Sequence, residues 1–190
     1  MFEIRFHGRG GQGTVLAAKI IADAVLLSGK AECMAFPEFG VERRGAPVVA
    51  YARIDDKPIV IRSRIYEPDA VVLLDPTLAA GDALLKGLKP GGSVLINTDH
   101  GPEDIAGNFS GLKVYCLPAR RIALEQKLGS PASPMVNTAI CGAVCALFDL
   151  ADPASLEQAI RAAVPAKADA NVAAARMGAE RVLGGIPCPR

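Results

Sequence analysis

The stretch FEIRFHGRGGQGTVLAAKIIADAV, residues 2–25, decides how the chain is read. Its first six residues mix β-prone apolar and polar positions, as a short strand does. Gly8, Gly10, Gly11 and Gly13 then crowd into one short turn, and an apolar, alanine-rich helix pattern follows at once. Strand, glycine turn and helix in that order open an α/β unit, with the helix running over about 13–28. The turn admits three readings. It cradles a phosphate, it only allows a sharp reversal, or another chain completes its binding shape.

Working outward, AECMAF (31–36) reads as a second strand and PEFGVERRGAP (37–47) as a loop rich in charge and glycine. VVAYARI (48–54) alternates as a strand, DDKP turns, and IVI (59–61) reads as a short return strand, so an antiparallel hairpin is predicted. DAVVLLD (69–75) and SVLINT (93–98) are continuous apolar runs of the kind that parallel strands buried on both faces require. Residues 77–86 read as helix, KVYCLP (113–118) as the last strand with a helix to Lys127, and GSPASP (129–134) as a linker. From 135 to 150 and 153 to 183 the chain is helical and alanine-rich, with Pro165 breaking the second stretch. The reading is an α/β domain over residues 1–190 with a mostly parallel sheet, an added antiparallel hairpin, and a helical C-terminal part (128–190) packed on it or on a partner.

Bulk properties narrow the function. The chain has 190 residues, 51% of them hydrophobic, and 21 basic against 20 acidic side chains. That balance gives no attraction to nucleic acid or an anionic membrane. No run approaches the ~18 apolar residues of a membrane span, and the charged start, with Glu3 and Arg5, does not read as a signal peptide. The cysteines (33, 116, 141, 145 and 188) show no C-x-x-C and are odd in number, which suits a reducing cytoplasm. Cys141 and Cys145 read as buried small side chains, so no metal site is assigned.

Gly8, Gly10 and Gly13 fit G-x-G-x-x-G between a strand and a helix, the context in which backbone N–H groups meet a diphosphate. Thr14 adds a hydroxyl in the first helical turn. An ordinary dinucleotide site needs more: an acid after the second strand and then a crossover helix. Glu38 stands roughly where the acid belongs, but a loop and another strand follow it. A Walker loop is excluded because no Lys-Ser/Thr follows the last glycine. The second loop carries Glu38, Glu42, Arg43 and Arg44, and adjacent arginines hold phosphate or carboxylate well. A solvated or interface loop tied by Arg–Glu pairs is the competing reading. His7, at the strand end, reads as a satisfied polar residue, and His100 sits in a polar loop. Asn137 and Asn171, on apolar helices, are either buried hydrogen-bonders or contacts to a neighbouring chain. No Ser/His/Asp or Cys/His set, paired carboxylates or ferredoxin-type cysteine run stands out, so no catalytic residue is assigned.

Three motifs together, FHGRGGQGTVLAAKIIADA, FPEFGVERRGAPVVAYARI and NTAICGAVCALF, closely resemble the gamma subunit of 2-oxoacid:acceptor oxidoreductases, nearest the pyruvate and ketoisovalerate type. The resemblance covers Phe2 to about Gly178 and implies a Rossmann-like three-layer fold. It also implies a complex that oxidatively decarboxylates a 2-oxoacid to acyl-CoA and CO2, with thiamine diphosphate and 4Fe-4S clusters in partner subunits. Those partners are alpha, beta and a ferredoxin-like delta subunit, and the acceptor is ferredoxin or NAD. This chain, cytoplasmic and non-catalytic, would hold no cofactor alone but help bind coenzyme A and cover the active site. The residues carried over are Gly8, Arg9, Gly10, Gly11, Gln12, Gly13 and Thr14 from the first motif, and Glu42, Arg43 and Arg44 from the second. Arg43 and Arg44 would meet coenzyme A phosphates or an alpha-subunit carboxylate. The alternative is a stand-alone NAD(P)-binding oxidoreductase.

Overall fold

A computed structural model describes residues 1–38, 45–80, 84–105 and 109–187. The opening stretch folds as read. β1 (Phe2–Arg9) leads through the glycine turn into α1 (Thr14–Ser28), which Gly29 ends in a left-handed conformation with its N–H on the Leu26 carbonyl. Then come β2 (Glu32–Pro37), β3 (Pro47–Asp55), β4 (Ala70–Leu73), a 3-10 turn (Pro76–Ala80) and β5 (Ser93–Asn97). The chain continues with α2 (Pro102–Ile105), β6 (Lys113–Leu117), α3 (Ala119–Glu125) and a small hairpin of β7 (Gly129–Ser130) and β8 (Ser133–Pro134). It closes with α4 (Asn137–Phe148), α5 (Pro153–Ala163), α6 (Ala168–Arg181) and β9 (Leu183–Pro187). α5 starts where Asp152 accepts the Ser155 N–H at 2.9 Å, with Pro153 behind it in the first turn.

The seven-stranded sheet has the order β2-β3-β1-β4-β5-β6-β9. β1, β4, β5 and β6 are parallel neighbours, β3 is antiparallel to both β1 and β2, and β9 is antiparallel to β6. An α/β sheet with a parallel centre and antiparallel additions is therefore correct, but three details differ. The hairpin partner of β3 is not 59–61, which forms no strand; β3 takes β1 and β2 instead, because Ala50, Ala52 and Ile54 then join Phe6 and Ile4 in one core. Residues 76–80 form a 3-10 turn in place of the start of an α-helix, and 81–83 of the expected helix lie outside the described residues. The strand 113–117 is not the last, since β9 returns after the helices to cover the sheet edge.

One face of the sheet carries the main core. Ile4, Phe6, Ala50, Ala52, Val72, Leu95 and Leu117 meet α1, α3, α4, α5 and α6 there. Burying each larger apolar side chain contributes about 1.5–3 kcal/mol, so this face supplies most of the stability. α4 and α6 pack backbone against backbone: a Cβ at Gly142 would strike the Ala175 carbonyl, and one at Gly178 the Ala139 carbonyl. The other face holds a smaller cluster of Val71, Leu73, Val94, Ile96, Val114 and Cys116 over β4, β5 and β6. Over β1 and β3, that face instead buries Arg5, Tyr51 and Arg53.

Candidate functional site

The glycine turn lies at the carboxyl end of β1, beside the carboxyl ends of β4 and β5, where α/β sheets place ligands. Its shape is set by side chains that fold back on it. The Arg9 N–H donates to Gln12 Oε1 at 2.8 Å, and Gln12 Nε2 donates to Asp75 Oδ2 at 2.9 Å. Arg9 Nε lies 3.2 Å from the same Asp75 oxygen, while its guanidinium also donates to the Thr77 hydroxyl at 2.8 Å and the Gly45 carbonyl at 3.2 Å. Asp75 accepts from the Thr77 N–H and hydroxyl as well. Burial alone would push the Asp75 carboxyl up. Its hydrogen bonds from Thr77 and Gln12, with the Arg9 charge, outweigh that and hold it below the ordinary value. Arg9 is thus already neutralised by an internal carboxylate.

The glycines do different work. Gly13, at φ 77°, begins α1, and a Cβ there would sit 2.7 Å from the Asn137 amide nitrogen. Gly11, at φ 99°, needs glycine for its conformation, yet a Cβ there would meet nothing within 4 Å. Its backbone is the open face of the turn. The next residue of the turn, Gln12, lines a cleft of about 590 Å³ with Asp75, Thr77, Asn97, His100 and Arg120, among others. Asn97 shapes the floor by donating to the Leu74 carbonyl at 2.8 Å and accepting the Arg120 N–H at 3.1 Å. Two buried polar groups behind the turn stay unpaired among the described residues: the Thr14 hydroxyl and both amide atoms of Asn137, which is 0% exposed. Each such group costs about 1–3 kcal/mol.

Gly8 to Thr14 are therefore brought together as one turn. Glu42, Arg43 and Arg44 lie outside the described residues, but the returning stem of their loop is placed. The Gly10 N–H donates to the Ala46 carbonyl at 2.9 Å and the Gly45 N–H to the Gly10 carbonyl at 3.1 Å. Glu38, at the other stem, is held by the Tyr51 hydroxyl at 2.6 Å and Arg64 at 2.8 Å. It is not beside the turn, because β3 stands between β2 and β1. That intervening antiparallel strand removes the ribose-binding geometry of a dinucleotide fold.

His7 accepts from Arg5 Nε at 3.0 Å, and burial, then the Arg5 charge, lower its pKa to about 4. It is a neutral structural acceptor, as read. Asn171 is a satisfied buried residue, accepting from Thr138 at 3.1 Å and donating to the Lys167 carbonyl at 3.0 Å. Cys141 and Cys145 are buried, with Cys141 donating to the Ala17 carbonyl at 3.5 Å. Among the described residues no three His, Cys, Asp or Glu side chains converge as metal ligands. No described helix is long and apolar enough to cross a membrane. Asp75, Thr77, Asn97 and Arg120 were missed in the sequence. Only the position of DAVVLLD, SVLINT and KVYCLP as strands, each ending in or followed by polar residues, could have marked them.

Comparison with known proteins agrees with this geometry. The family model described as pyruvate ferredoxin/flavodoxin oxidoreductase matches residues 3–181. A Thermococcus litoralis protein named pyruvate/ketoisovalerate oxidoreductases common subunit gamma is 50% identical over 85% of each chain. The Methanothermobacter marburgensis pyruvate synthase subunit PorC is 46% identical, over 96% of this chain and 98% of that one. The crystal structure of pyruvate oxidoreductase subunit PORC from Thermotoga maritima matches with a TM-score of 0.83 at 33% identity, covering 97% and 98% of the two chains. A family model matched over residues 3–181, with relatives and a solved structure alike over most of both chains, places the chain in the pyruvate ferredoxin/flavodoxin oxidoreductase family, among its gamma subunits.

Proposed function

We propose that the chain is the non-catalytic gamma subunit of a cytoplasmic, multi-subunit oxidoreductase that converts a 2-oxoacid and coenzyme A to acyl-CoA and CO2. Its own part is to receive coenzyme A at the glycine turn and to cover the active site. The observation that carries this reading is the likeness to gamma subunits along nearly the whole of both chains. The structure supports the coenzyme A assignment in two ways. The Gly11 backbone is open and its neighbour Gln12 lines a cleft large enough for part of such a ligand, and the Thr14 hydroxyl is buried without a partner among the described residues. Gly8, Arg9, Gly10, Gly11, Gln12, Gly13 and Thr14 would form the cradle, with Glu42, Arg43 and Arg44 adding from the loop whose stem adjoins it.

Arg9 would meet a phosphate only by sharing or leaving Asp75, so uncommitted backbone N–H groups and the helix N-terminus are the stronger attraction. Thiamine diphosphate would supply the decarboxylation chemistry and 4Fe-4S clusters would carry the electrons. Both are assigned to the alpha, beta and ferredoxin-like delta partners. The acceptor, ferredoxin or NAD, would likewise dock elsewhere in the complex.

Purification of the tagged chain from its own cells under anaerobic conditions tests the reading. Native mass spectrometry should show larger subunits, and the complex should form acyl-CoA while the separated chain is inert. In the complex, Gly11→Val places a side chain on the open face and also strains the positive-φ turn that shapes it, and should raise the KM for coenzyme A at least about tenfold. The 2-oxoacid KM should not change. Acyl-CoA formation by the separated chain, or nicotinamide-cofactor binding to it, would contradict the proposal.

A further inference from the structure

The segment predicted as a return strand is the most unusual surface of the chain. Residues 57–66, KPIVIRSRIY, carry a β-prone apolar run but pair with no strand. Val60 is 83% exposed, Ile61 47% and Tyr66 70%, which gathers the two most exposed large apolar side chains and a third in one strip. No N–H between Lys57 and Tyr66 has a hydrogen-bond partner among the described residues. The strip is nonetheless anchored. Arg53, only 2% exposed, donates to the Ile61 carbonyl at 3.0 Å and the Arg64 carbonyl at 3.3 Å, while its Nε donates to Glu3 at 2.7 Å. Arg64 reaches Glu38 at 2.8 Å, and Ile65 is buried beneath. A buried guanidinium thus holds a stretch of backbone at the surface with its donors unspent. Unpaired, β-prone, exposed backbone is a template for another strand.

We infer that residues 57–66 are a docking strip for a partner subunit of the same complex, which adds an exposed strand bearing apolar residues and a carboxylate. The inference rests on the gamma-subunit reading. Charge selects the occupant. Lys57 and Arg62 are exposed cations without partners among the described residues, so an acidic strand complements them. A second copy fits poorly. Pairing two strips in parallel register sets Arg62 against Arg62, and like charges directly opposite destabilise a strand pair, while pairing them antiparallel about their centre sets Arg62 against Ile61 and Lys57 against Tyr66 and gives neither cation a carboxylate. The segment bends at Ser63, so the occupant's strand is set along Val60 to Arg62, and the exposed Val60 and Tyr66 call for apolar residues on the same partner.

The test uses the complex purified from its own cells. Hydrogen exchange of the 57–66 backbone is compared between complex and separated chain, and the variants Val60→Asp, Arg62→Glu and Arg62→Lys are assayed for assembly. Both residues are exposed, so the variants should keep the wild-type melting temperature within about 2 °C. The expected result is exchange slowed at least about tenfold in the complex. Assembly should weaken about tenfold or more with Val60→Asp and Arg62→Glu and be retained with Arg62→Lys. Unchanged exchange in an intact complex, normal assembly of Val60→Asp, or protection of the strip in a homodimer would each overturn the inference. A wild-type chain that co-purifies with no other subunit would instead overturn the gamma-subunit reading and remove the strip's partner with it.

Discussion

The two faces of the sheet at β1 and β3 are built on opposite principles. Toward α1, Ile4, Phe6, Ala50 and Ala52 pack in one apolar cluster with Ala17, Ile20, Ile21 and Ala24. Toward the other side, the alternate residues Arg5, His7, Tyr51 and Arg53 make a polar layer roofed by irregular chain. The alternation is that of any strand. What differs is the cover: packed helices on one side, backbone carbonyls held by arginines on the other. The helical face holds the fold together. The arginine face fixes Glu38 through Arg64 and the 57–66 strip through Arg53, the strip being the surface proposed to meet a partner subunit.

That contrast is open to attack by substitution. The largest effect should come from the helical face. Gly142→Val drives a side chain into the Ala175 carbonyl, where neither backbone has room to shift, and should cost more than ~3 kcal/mol or prevent folding. Urea denaturation followed by circular dichroism reads it. Next, Arg53→Ala leaves Glu3 and two carbonyls without their donor and should cost about 3–5 kcal/mol. Limited proteolysis at 57–66 should quicken in the free chain, because the carbonyl anchors of that segment are gone, while the helical face keeps its amide protection. An equal loss of protection on both faces would erase the distinction.

His7 gives a smaller, pH-dependent effect. The folded chain keeps this imidazole neutral down to about pH 4, whereas the unfolded chain protonates it near 6.5. Its contribution is therefore complete above about pH 6.5 and drains away as the pH falls toward 4. His7→Gln should flatten that limb of a stability-against-pH curve and leave the neutral region nearly unchanged. Smallest of all, Lys30→Ala breaks an exposed pair with Asp149 on the helical side and should cost under about 1 kcal/mol.

The same contrast explains what could be read beforehand. β1, the glycine turn, α1 and the apolar runs of β4 and β5 announce themselves, because their signals are local: periodicity, glycine clustering and continuous apolarity. The partner of β3 did not, since an alternating strand is compatible with any neighbour and IVI lay nearest in sequence. β9 was hidden by its glycines, which weaken any strand signal in Leu183–Pro187. In the site, the turn was legible but its internal clamp was not. Asp75, Thr77 and Asn97 act from the ends of strands far along the chain, and nothing local distinguishes a carboxylate that holds Arg9 and Gln12 from one facing water. The unpaired Asn137 was singled out from its apolar surroundings, though its place behind Gly13 depends on how α4 meets α1.

Hydrogen exchange at Arg9–Thr14 in the intact complex, with and without saturating coenzyme A, tests the central claim most directly. The account predicts that coenzyme A slows exchange in this turn at least about tenfold, and that Gly11→Val abolishes the effect without dissociating the subunits. Unchanged exchange at the turn, in a complex that still turns over coenzyme A, would contradict it and leave the glycines as a structural reversal between β1 and α1.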